Sequence, residues 1–440
     1  MLGGFESWGR FPKVDQEGIY LNWSDEGIPH GNETILAFGL GRSYGDSCLN
    51  SDGIVLSTRN LNRFLAFDET KGILKCEAGT SLAEIINLVL PKGWFLPVTP
   101  GTKQVTVGGA IANDVHGKNH HRDGTFGHHI TQFELLRSDG EKLVCSNQEN
   151  LDMFRATIGG LGLTGLITWA EIQLKAVASA YLDVETIRFN NIHSFKTLSE
   201  ESNETHLYTV AWIDCQAKGG NLGRGLFMRA NHEAVSDSAA AVAQQVTPRK
   251  KINIPFVFPG GVLNWLTVKS FNQLYFRKQL HNYRKSLDHY DGFFYPLDGL
   301  SNWNRIYGPK GFFQYQFVVP HRDYIAIEEV LTMIANSGAG SFLAVLKEFG
   351  DKPSLGMMSF PRPGICLALD FPNKGNKTLE LMQRLDDLVV SAGGAVYPAK
   401  DARMSAESFS AYYSANEQFS KFIDPRFSSN FWRRTQPVKQ

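Results

Sequence analysis

The sequence predicts an α+β protein of two domains, with a C-terminal segment that returns to the first. Up to residue 178, short alternating apolar runs are separated by glycine-rich turns. From 179 to 393, strand-like runs alternate with helical patterns, which is typical of an antiparallel sheet with helices on one face. The 440 residues are enough for separate cores. We therefore expect domains at 1–178 and 179–393 and a returning segment at 394–440.

In the first domain, strands are expected where alternating, β-branched runs lie between glycines. These runs are 53–59, 72–79, 129–140 and 165–177. A helix is predicted over 81–90, because Ser81 is placed as its N-cap, Glu84 completes a capping box, and Pro91 ends the pattern. A second, short helix is predicted over 151–160, where glycines stop it.

The second domain has aromatic strand patterns and two helical ones. Strands are expected at 181–189, 206–215, 311–320, 341–350 and 364–372, and helices at 322–338 and 376–394. Residues 221–251 are polar and rich in Ala and Gln, so we expect a mobile or loosely packed segment there. The end of the chain, from 393 to 413, is predicted to form a short strand, a turn and a helix.

Composition argues against several classes of function. The chain has 44 Lys+Arg and 44 Asp+Glu, so it lacks the basic footprint of a nucleic-acid binder. No run approaches the ~18 apolar residues of a membrane span, and no secretory signal is visible at the first residues. The five cysteines are scattered and odd in number, so we expect reduced thiols in a cytosolic chain.

The first glycine-rich segment, AFGLGRSYGDS (37–47), follows an apolar run. Glycines allow backbone N–H groups to turn toward phosphate oxygens, so the segment favours a diphosphate loop. A Rossmann fingerprint is an alternative, but Tyr44 breaks the G-x-G-x-x-G spacing and a polar stretch follows where a Rossmann unit needs a helix. A purely structural glycine turn is a second alternative.

Two further segments have the same character. Residues 97–129 carry six glycines and five of the twelve histidines, and small residues there allow a flat ligand to lie against the backbone. His116 and His120 are four apart, as in some metal sites, but Gly117 lies between them and no cysteine or carboxylate cluster completes a ligand set. We expect no metal there. The third segment, 158–174, is a glycine turn that leads into a strand.

Taken in order, GRSYGD, PGT…VGGAI…HGKNHH and GGLGLTG resemble the FAD domain of the vanillyl-alcohol oxidase/p-cresol methylhydroxylase (PCMH) superfamily. With FFQYQFVVP, SFPRPG…DFP and YPAKDAR, the chain resembles, within that superfamily, the decaprenylphosphoryl-β-D-ribose 2-oxidase family, the oxidase subunit of an epimerase. The resemblance covers most of the chain and weakens at 215–300. It implies a PCMH-type FAD-binding fold with an antiparallel-sheet substrate (cap) domain.

The resemblance also implies which residues hold FAD. It places Ala37, Phe38, Gly39, Leu40, Gly41, Arg42, Ser43, Tyr44, Gly45, Asp46 and Ser47 at the diphosphate, and Gly101, Thr106, Val107, Gly108, Gly109, Asn113, Asp114, Val115, His116, Ile167 and Tyr397 along the rest of the cofactor. Superfamily members with covalent flavin have a histidine at the position of Asp46. An aspartate cannot form that bond, so noncovalent FAD is expected.

The same resemblance implies an active site beside the flavin. Its catalytic residues would be Lys400, Tyr44, His116, Lys118, Gln316 and Lys347, and its substrate-binding residues Gln314, Gln316, Lys347, Cys366, Ala368 and Lys400. A cation such as Lys400 would stabilise the negative charge of reduced flavin. In the family a cysteine faces the flavin where this chain has Ala368; Cys366 lies two residues earlier and is expected on the same side of its strand.

By resemblance, the function is FAD-dependent oxidation of a sugar secondary alcohol at C2 of a polyprenyl-phosphoryl ribofuranose, by hydride transfer to flavin N5. This is the first half of an epimerisation in cell-wall biosynthesis. The expected partners are a short-chain reductase and a quinone or other electron acceptor. We expect a cytoplasmic protein, peripheral at the inner membrane, with the periplasm as the alternative. The functional alternatives are an aldonolactone or alditol oxidase and a flavin-free sugar- or lipid-binding protein.

Overall fold

The computed structural model describes residues 4–234 and 251–436. Its first half contains a three-stranded parallel sheet, a five-stranded antiparallel sheet and a short pair of strands. The parallel sheet has β3 between β1 and β2, and the antiparallel sheet has the order β4-β5-β9-β7-β8. The strands are β1 Glu17–Tyr20, β2 Ile35–Phe38, β3 Ile54–Ser57, β4 Phe64–Asp68, β5 Ile73–Glu77, β6 Trp94–Phe95, β7 Ile130–Leu136, β8 Lys142–Ser146, β9 Leu166–Gln173 and β10 Lys175–Ala176.

The helices of this half are short and lie between strands. They are α1 Leu82–Val89, α2 Val107–Ala112, α3 His120–Asp123 and α4 Leu151–Thr157. The predicted capping box of α1 is confirmed: the Ser81 hydroxyl accepts a hydrogen bond from the Glu84 amide, and the Glu84 carboxylate accepts one from the Ser81 amide. Pro91 lies in the short turn that follows α1.

The second half is built on one eight-stranded antiparallel sheet. Its strands are β11 Tyr181–Phe189, β12 Tyr208–Ile213, β13 Gly225–His232, β15 Tyr283–His289, β17 Phe312–Val319, β18 Ala344–Phe349, β19 Gly364–Pro372 and β20 Ala395–Val396, in the order β15-β11-β13-β12-β18-β19-β17-β20. A separate pair joins β14 Ile252–Asn253 to β16 Leu300–Ser301. The predicted α+β class is confirmed.

Helices cover one face of the large sheet. They are α5 Ile192–Ser202, α8 Ile325–Ser337 and α9 Asn376–Ser391. Their inner residues, among them Phe195, Leu331 and Leu385, share a core with Phe317 and Leu367 of the sheet. Two more helices, α6 Trp265–Arg277 and α7 Tyr290–Phe294, lie between β14 and β16 along the chain. The opposite sheet face is left to line the site described below.

The prediction of a loosely packed segment at 221–251 is wrong for its first part. Residues 225–232 form β13, which pairs with β11 and β12 inside the large sheet. Leu226, Phe227 and Ala230 of this strand are buried. The short apolar run was hidden by the long polar stretch that follows it. Residues 235–250 lie outside the described residues, so the prediction is not tested there.

The C-terminal segment contacts the first sheet and the first glycine-rich loop. It contains α10 Ala406–Tyr412, α11 Asn416–Ser420 and α12 Asn430–Thr435. On α12, Arg434 donates to both carboxylate oxygens of Asp46, at 2.8 and 3.0 Å, and to Asp401 at 2.9 Å. Upstream, the Ser428 amide donates to the Ile35 carbonyl. These contacts support the division that we propose, into domains at 1–178 and 179–393 and a returning segment at 394–440.

Within the residues that the structure describes, none of the helices combines the length and the apolarity that crossing a bilayer requires.

We expect Arg434→Ala to lower the free energy of unfolding by roughly 3 kcal/mol, because it leaves two buried carboxylates, Asp46 and Asp401, without their shared cation. Urea unfolding followed by fluorescence measures the change. Arg433→Ala is the matched control, because the neighbouring Arg433 makes hydrogen bonds to neutral groups only. Equal losses for the two variants would contradict the role assigned to Arg434.

Candidate active site

A cavity of about 580 Å³ lies between the glycine-rich segments of the first half and the open face of the large sheet. Its size is within the roughly 300–1,000 Å³ of ligand and cofactor sites. Loop residues from all three glycine-rich segments line it, together with side chains from β12, β13, β17, β18 and β19. The turn that carries Lys400 closes one part of the wall.

The first loop presents its backbone to the cavity. Gly41 has a φ of +61°, in the left-handed region that favours glycine. A Cβ atom at Gly39 would collide with the Thr106 hydroxyl, so the first and second segments approach closely only because Gly39 has none. In the described part of the chain, the amides from residue 40 to residue 43 donate to no protein acceptor. Such free amides form an anion-binding nest.

The second and third segments are fixed beside the first by backbone hydrogen bonds. Thr106 caps α2, and its hydroxyl accepts from the Gly109 amide at 3.2 Å. The Gly108 amide donates to the carbonyl of Ala78, the residue that follows β5, and this bond holds the start of α2 against the antiparallel sheet. From the third segment, the Leu161 amide donates to the Ala112 carbonyl at 2.8 Å. The three segments therefore form one wall of the cavity.

The opposite wall follows from strand register. Residues directly paired across strands project to the same face, and every second residue shares that face. Gln316 pairs with Ala368, Ala368 with Val345, and Val345 lies two residues from Lys347. Trp212 pairs with Val345 on the other side. All five residues line the cavity.

Gln316 connects this sheet face to the second segment. Its side-chain amide lies 2.8 Å from His116 Nε2 and donates to the Cys366 sulfur at 3.4 Å. Burial lowers the pKa of His116 well below its usual value, with further repulsion from Lys347, His120 and Lys400, so the imidazole is neutral. Cys366 and Ala368 lie on the same face of β19, as expected, but Ala368 alone of the two lines the cavity.

Three lysines, Lys118, Lys347 and Lys400, reach the cavity from different elements. Burial, and after it the repulsion from Lys347, lowers the pKa of Lys118 to about 7. Burial also lowers the pKa of Lys400 to about 7, against an opposing attraction from Asp370, and lowers that of Lys347. The Lys400 ammonium lies 3.9 Å from the centre of the Tyr44 ring. A bound anion would relieve this concentration of positive charge.

Gln314 contacts the carboxylate of Asp370, which the sequence analysis did not include among the site residues. Its amide donates to Asp370 Oδ1 at 2.6 Å, and the Tyr307 hydroxyl donates to Oδ2 at 3.2 Å. Burial raises the pKa of Asp370 to about 7. The parity of β19 was the available signal, because Asp370 is two residues from Ala368. Asp370 lies behind the cavity wall, whereas Trp212 and Trp303 line the cavity, and no comparable pattern in the sequence indicates these two tryptophans.

Most residues assigned by resemblance line the cavity, and six do not. Those outside its wall are Phe38, Gly45, Asp46, Val107, Asp114 and Cys366. Asp46 is paired with Arg434, and a Cβ atom at Gly45 would collide with the Asp401 carbonyl. Asp114 accepts hydrogen bonds from the Gly127 amide and the Ser359 hydroxyl, at 3.0 and 2.5 Å. These residues lie behind the wall and hold its loops in place.

Comparison with known proteins gives this geometry a family. Residues 29–146 match a family model described as a FAD binding domain. The chain is 37% identical over 426 residues to the decaprenylphosphoryl-β-D-ribose oxidase of Mycolicibacterium smegmatis, an alignment covering 92% of this chain and 90% of that protein.

The chain belongs to the decaprenylphosphoryl-β-D-ribose oxidase family.

Two other relatives are less similar to this chain. An uncharacterised protein of Streptomyces coelicolor is 32% identical over 80% of the chain and 99% of its own length. The D-arabinono-1,4-lactone oxidase of Candida glabrata is 25% identical over 37% of the chain and 31% of its own length. The chain is therefore a FAD-binding oxidoreductase, and FAD is its cofactor.

The residues present fit FAD. The free amides at 40–43 suit the diphosphate, the glycines of the second segment leave room for a flat extended molecule, and the three lysines offer positive charge to an anionic ligand. Asp46 accepts hydrogen bonds from Arg434 and lies outside the cavity wall, so we propose that FAD is held noncovalently.

We expect Gly39→Ala to weaken FAD binding at least about tenfold, because the added methyl forces Gly39 and Thr106 apart and displaces the loop amides. Flavin released by acid precipitation of the wild type can be titrated back into apoprotein, and fluorescence quenching measures its Kd. Gly220→Ala, where a Cβ meets nothing within 4 Å, is the control. Flavin that remains bound to the acid precipitate would contradict noncovalent attachment, and unchanged affinity of Gly39→Ala would contradict the role of the close contact.

Proposed function

We propose that this enzyme oxidises the C2 hydroxyl of a polyprenyl-phosphoryl ribofuranose, the first half of an epimerisation. The proposal rests on the pairing of a FAD-binding wall with a sheet face that presents two side-chain amides and the Lys347 ammonium group to the same cavity. Similarity over 92% of the chain to an oxidase named for decaprenylphosphoryl-β-D-ribose supports that substrate. The lactone oxidase relative matches a much smaller share of the chain, so the lactone alternative has less support.

When bound, FAD supplies a hydride acceptor. The chain's own residues bind and orient the sugar. Gln314 and Gln316 share one face of β17, and their amides are able to hold sugar hydroxyls in a fixed direction. Lys118 and Lys347 offer ammonium groups to the phosphate of the lipid carrier.

Lys400 is proposed as the residue that stabilises negative charge as the reaction proceeds. Its ammonium is held above Tyr44 at the junction of the loop wall and the sheet wall. A fixed cation in a water-poor site lowers the energy of charge that develops next to it, and does so without reorganisation. Tyr44 is itself fixed, because its amide donates to the Ala399 carbonyl at 2.9 Å.

Ala368 is proposed to widen the substrate pocket. A methyl group occupies the position that bears a cysteine in the family, and it lies directly opposite Gln316.

We propose that the product is a keto sugar, which a short-chain reductase returns as the arabino epimer, and that a quinone or another acceptor reoxidises the enzyme. The proposed substrate is a membrane lipid, which supports a peripheral location at the membrane.

Anaerobic reduction of the flavin by a panel of alcohols tests the substrate class. We expect polyprenyl-phosphoryl ribose to bleach the flavin absorbance, with aldonolactones and free alditols at least about a hundredfold slower, because those lack the phosphate that Lys118 and Lys347 would bind. Stopped-flow absorbance gives the rates. Faster reduction by an aldonolactone than by the phosphoryl ribose would replace the proposal with the lactone alternative.

The role of Lys400 predicts a pH dependence of flavin reduction. Because the folded-state pKa of Lys400 is lowered to about 7, its charged fraction falls as the pH rises above that value. We expect the reduction rate to fall in the same range.

Lys400→Met should retain FAD but reduce it at least about a hundredfold more slowly, the usual scale for one charge-stabilising group.

Lys400→Arg is the matched control, since arginine stays charged throughout this range. Its reduction rate should not fall above pH 7, even if its absolute value is lower. A reduction rate that rises with pH in the wild type, or that is unchanged in Lys400→Met, would remove Lys400 from this role.

A further inference from the structure

Exposed apolar side chains are concentrated in one stretch, from residue 251 to residue 287. Of the eighteen large apolar side chains that are exposed among the described residues, eleven lie there. They are Ile252, Phe256, Val257, Val262, Trp265, Leu266, Phe271, Leu274, Leu280, Tyr283 and Leu287. Two of them, Leu274 and Leu280, are 72% and 82% exposed. We call this region the 251–287 surface.

The same stretch carries one sign of charge only. Between 251 and 287 there are six lysines and arginines and no aspartate or glutamate, in a chain whose formal net charge is zero. The basic residues are Lys251, Lys269, Arg277, Lys278, Arg284 and Lys285, and all six are exposed. Their presence among exposed apolar groups distinguishes this surface from an ordinary charged one.

Helix α6 shows how the two properties combine. Its inner side is formed by Val268, Asn272 and Phe276, which are buried. Around the rest of the helix, Leu266, Lys269, Leu274 and Arg277 are exposed, and so is Lys278, which follows it. A helix with apolar and basic side chains together on its exposed side is typical of segments that lie in the headgroup region of a bilayer.

The surface also adjoins the active-site cavity. Lys251 and Tyr275 line that cavity, and β14 pairs with β16, whose Leu300 and Ser301 are also part of its wall. A polyprenyl chain is insoluble in water, so an enzyme that acts on its phosphoryl sugar must receive it from a lipid phase.

We infer that the 251–287 surface docks the enzyme on an anionic lipid bilayer, and that the polyprenyl carrier enters the cavity from there. The inference rests on the proposed function for the identity of the carrier, but the docking itself does not. Lysine and arginine beside exposed leucine, phenylalanine and tryptophan match both parts of such a surface, the anionic headgroups and the acyl chains beneath them.

Sedimentation with lipid vesicles tests the docking. The FAD-loaded enzyme should sediment with vesicles of phosphatidylcholine and phosphatidylglycerol, less with phosphatidylcholine alone, and less again at raised salt. Each cation at an anionic surface contributes roughly fivefold to binding, so Lys269→Glu with Lys278→Glu should lower the partition coefficient at least about tenfold. Leu266→Ser with Leu274→Ser should lower it as well, because apolar area that enters the bilayer is lost.

Matched controls come from exposed positions elsewhere. Ile325→Ser and Lys421→Glu change an exposed apolar and an exposed basic residue outside the surface, and should bind vesicles like the wild type. Equal binding by all variants, or no vesicle binding by the wild type, would overturn the inference. So would a surface double variant that changes the oligomeric state in analytical ultracentrifugation while vesicle binding stays the same, because the surface would then cover another copy of the chain.

Flavin reduction by detergent-solubilised polyprenyl-phosphoryl ribose separates this inference from the proposed function. The surface variants should keep the wild-type rate in detergent, since none of their residues lines the cavity, and should be slower when the substrate is supplied in anionic vesicles. Vesicle binding without flavin reduction would overturn the proposed substrate and leave the docking standing. Reduction in detergent without vesicle binding would do the reverse.

Discussion

The arrangement of this site depends on the contact between the first glycine-rich loop and the turn that carries Lys400. The Tyr44 amide donates to the Ala399 carbonyl, and Gly45 lies so close to the Asp401 carbonyl that no larger residue fits. Arg434 then joins Asp46 behind the loop to Asp401 behind the turn. Groups more than 350 residues apart in sequence are thereby fixed against each other, so the cofactor wall and the ammonium group of Lys400 are positioned as one unit.

Charge explains why the cavity needs a ligand. Lys118, Lys347 and Lys400 face one space, and burial disfavours the charged form of each. Asp370 partly offsets them, but its own pKa is raised by burial and its oxygens are already engaged by Gln314 and Tyr307. An anionic cofactor or substrate phosphate provides the missing negative charge, so binding stabilises the protein as well as serving the reaction.

Sequence reasoning succeeded where the signal was local. The capping box at Ser81 and Glu84, the strand at 364–372 and the helix predicted over 376–394, which ends at Ser391, follow from spacing alone. Resemblance supplied the lining residues that no local rule indicates, such as Lys400 in its short turn. It failed to separate wall residues from those behind the wall, such as Asp46 and Asp114, because that distinction depends on tertiary contacts. Strand β13 was missed because its apolar run, residues 226–228, is short and adjoins a long polar stretch. Asp370 was missed because strand parity shows which face it shares but not the Gln314 and Tyr307 side chains that bind its carboxylate.

The two edge strands of the large sheet are protected in different ways from pairing with another chain. At one end, β20 has only two residues, Ala395–Val396, and offers little backbone for another chain to pair with. At the other edge of the sheet, β15 has seven residues, and its exposed side chains include Arg284 and Lys285. Adjacent positive charges on an outer strand discourage strand-to-strand aggregation between copies. These two residues also belong to the 251–287 surface. Replacing them with neutral residues would therefore weaken the contact with lipid and also lower the solubility of the protein.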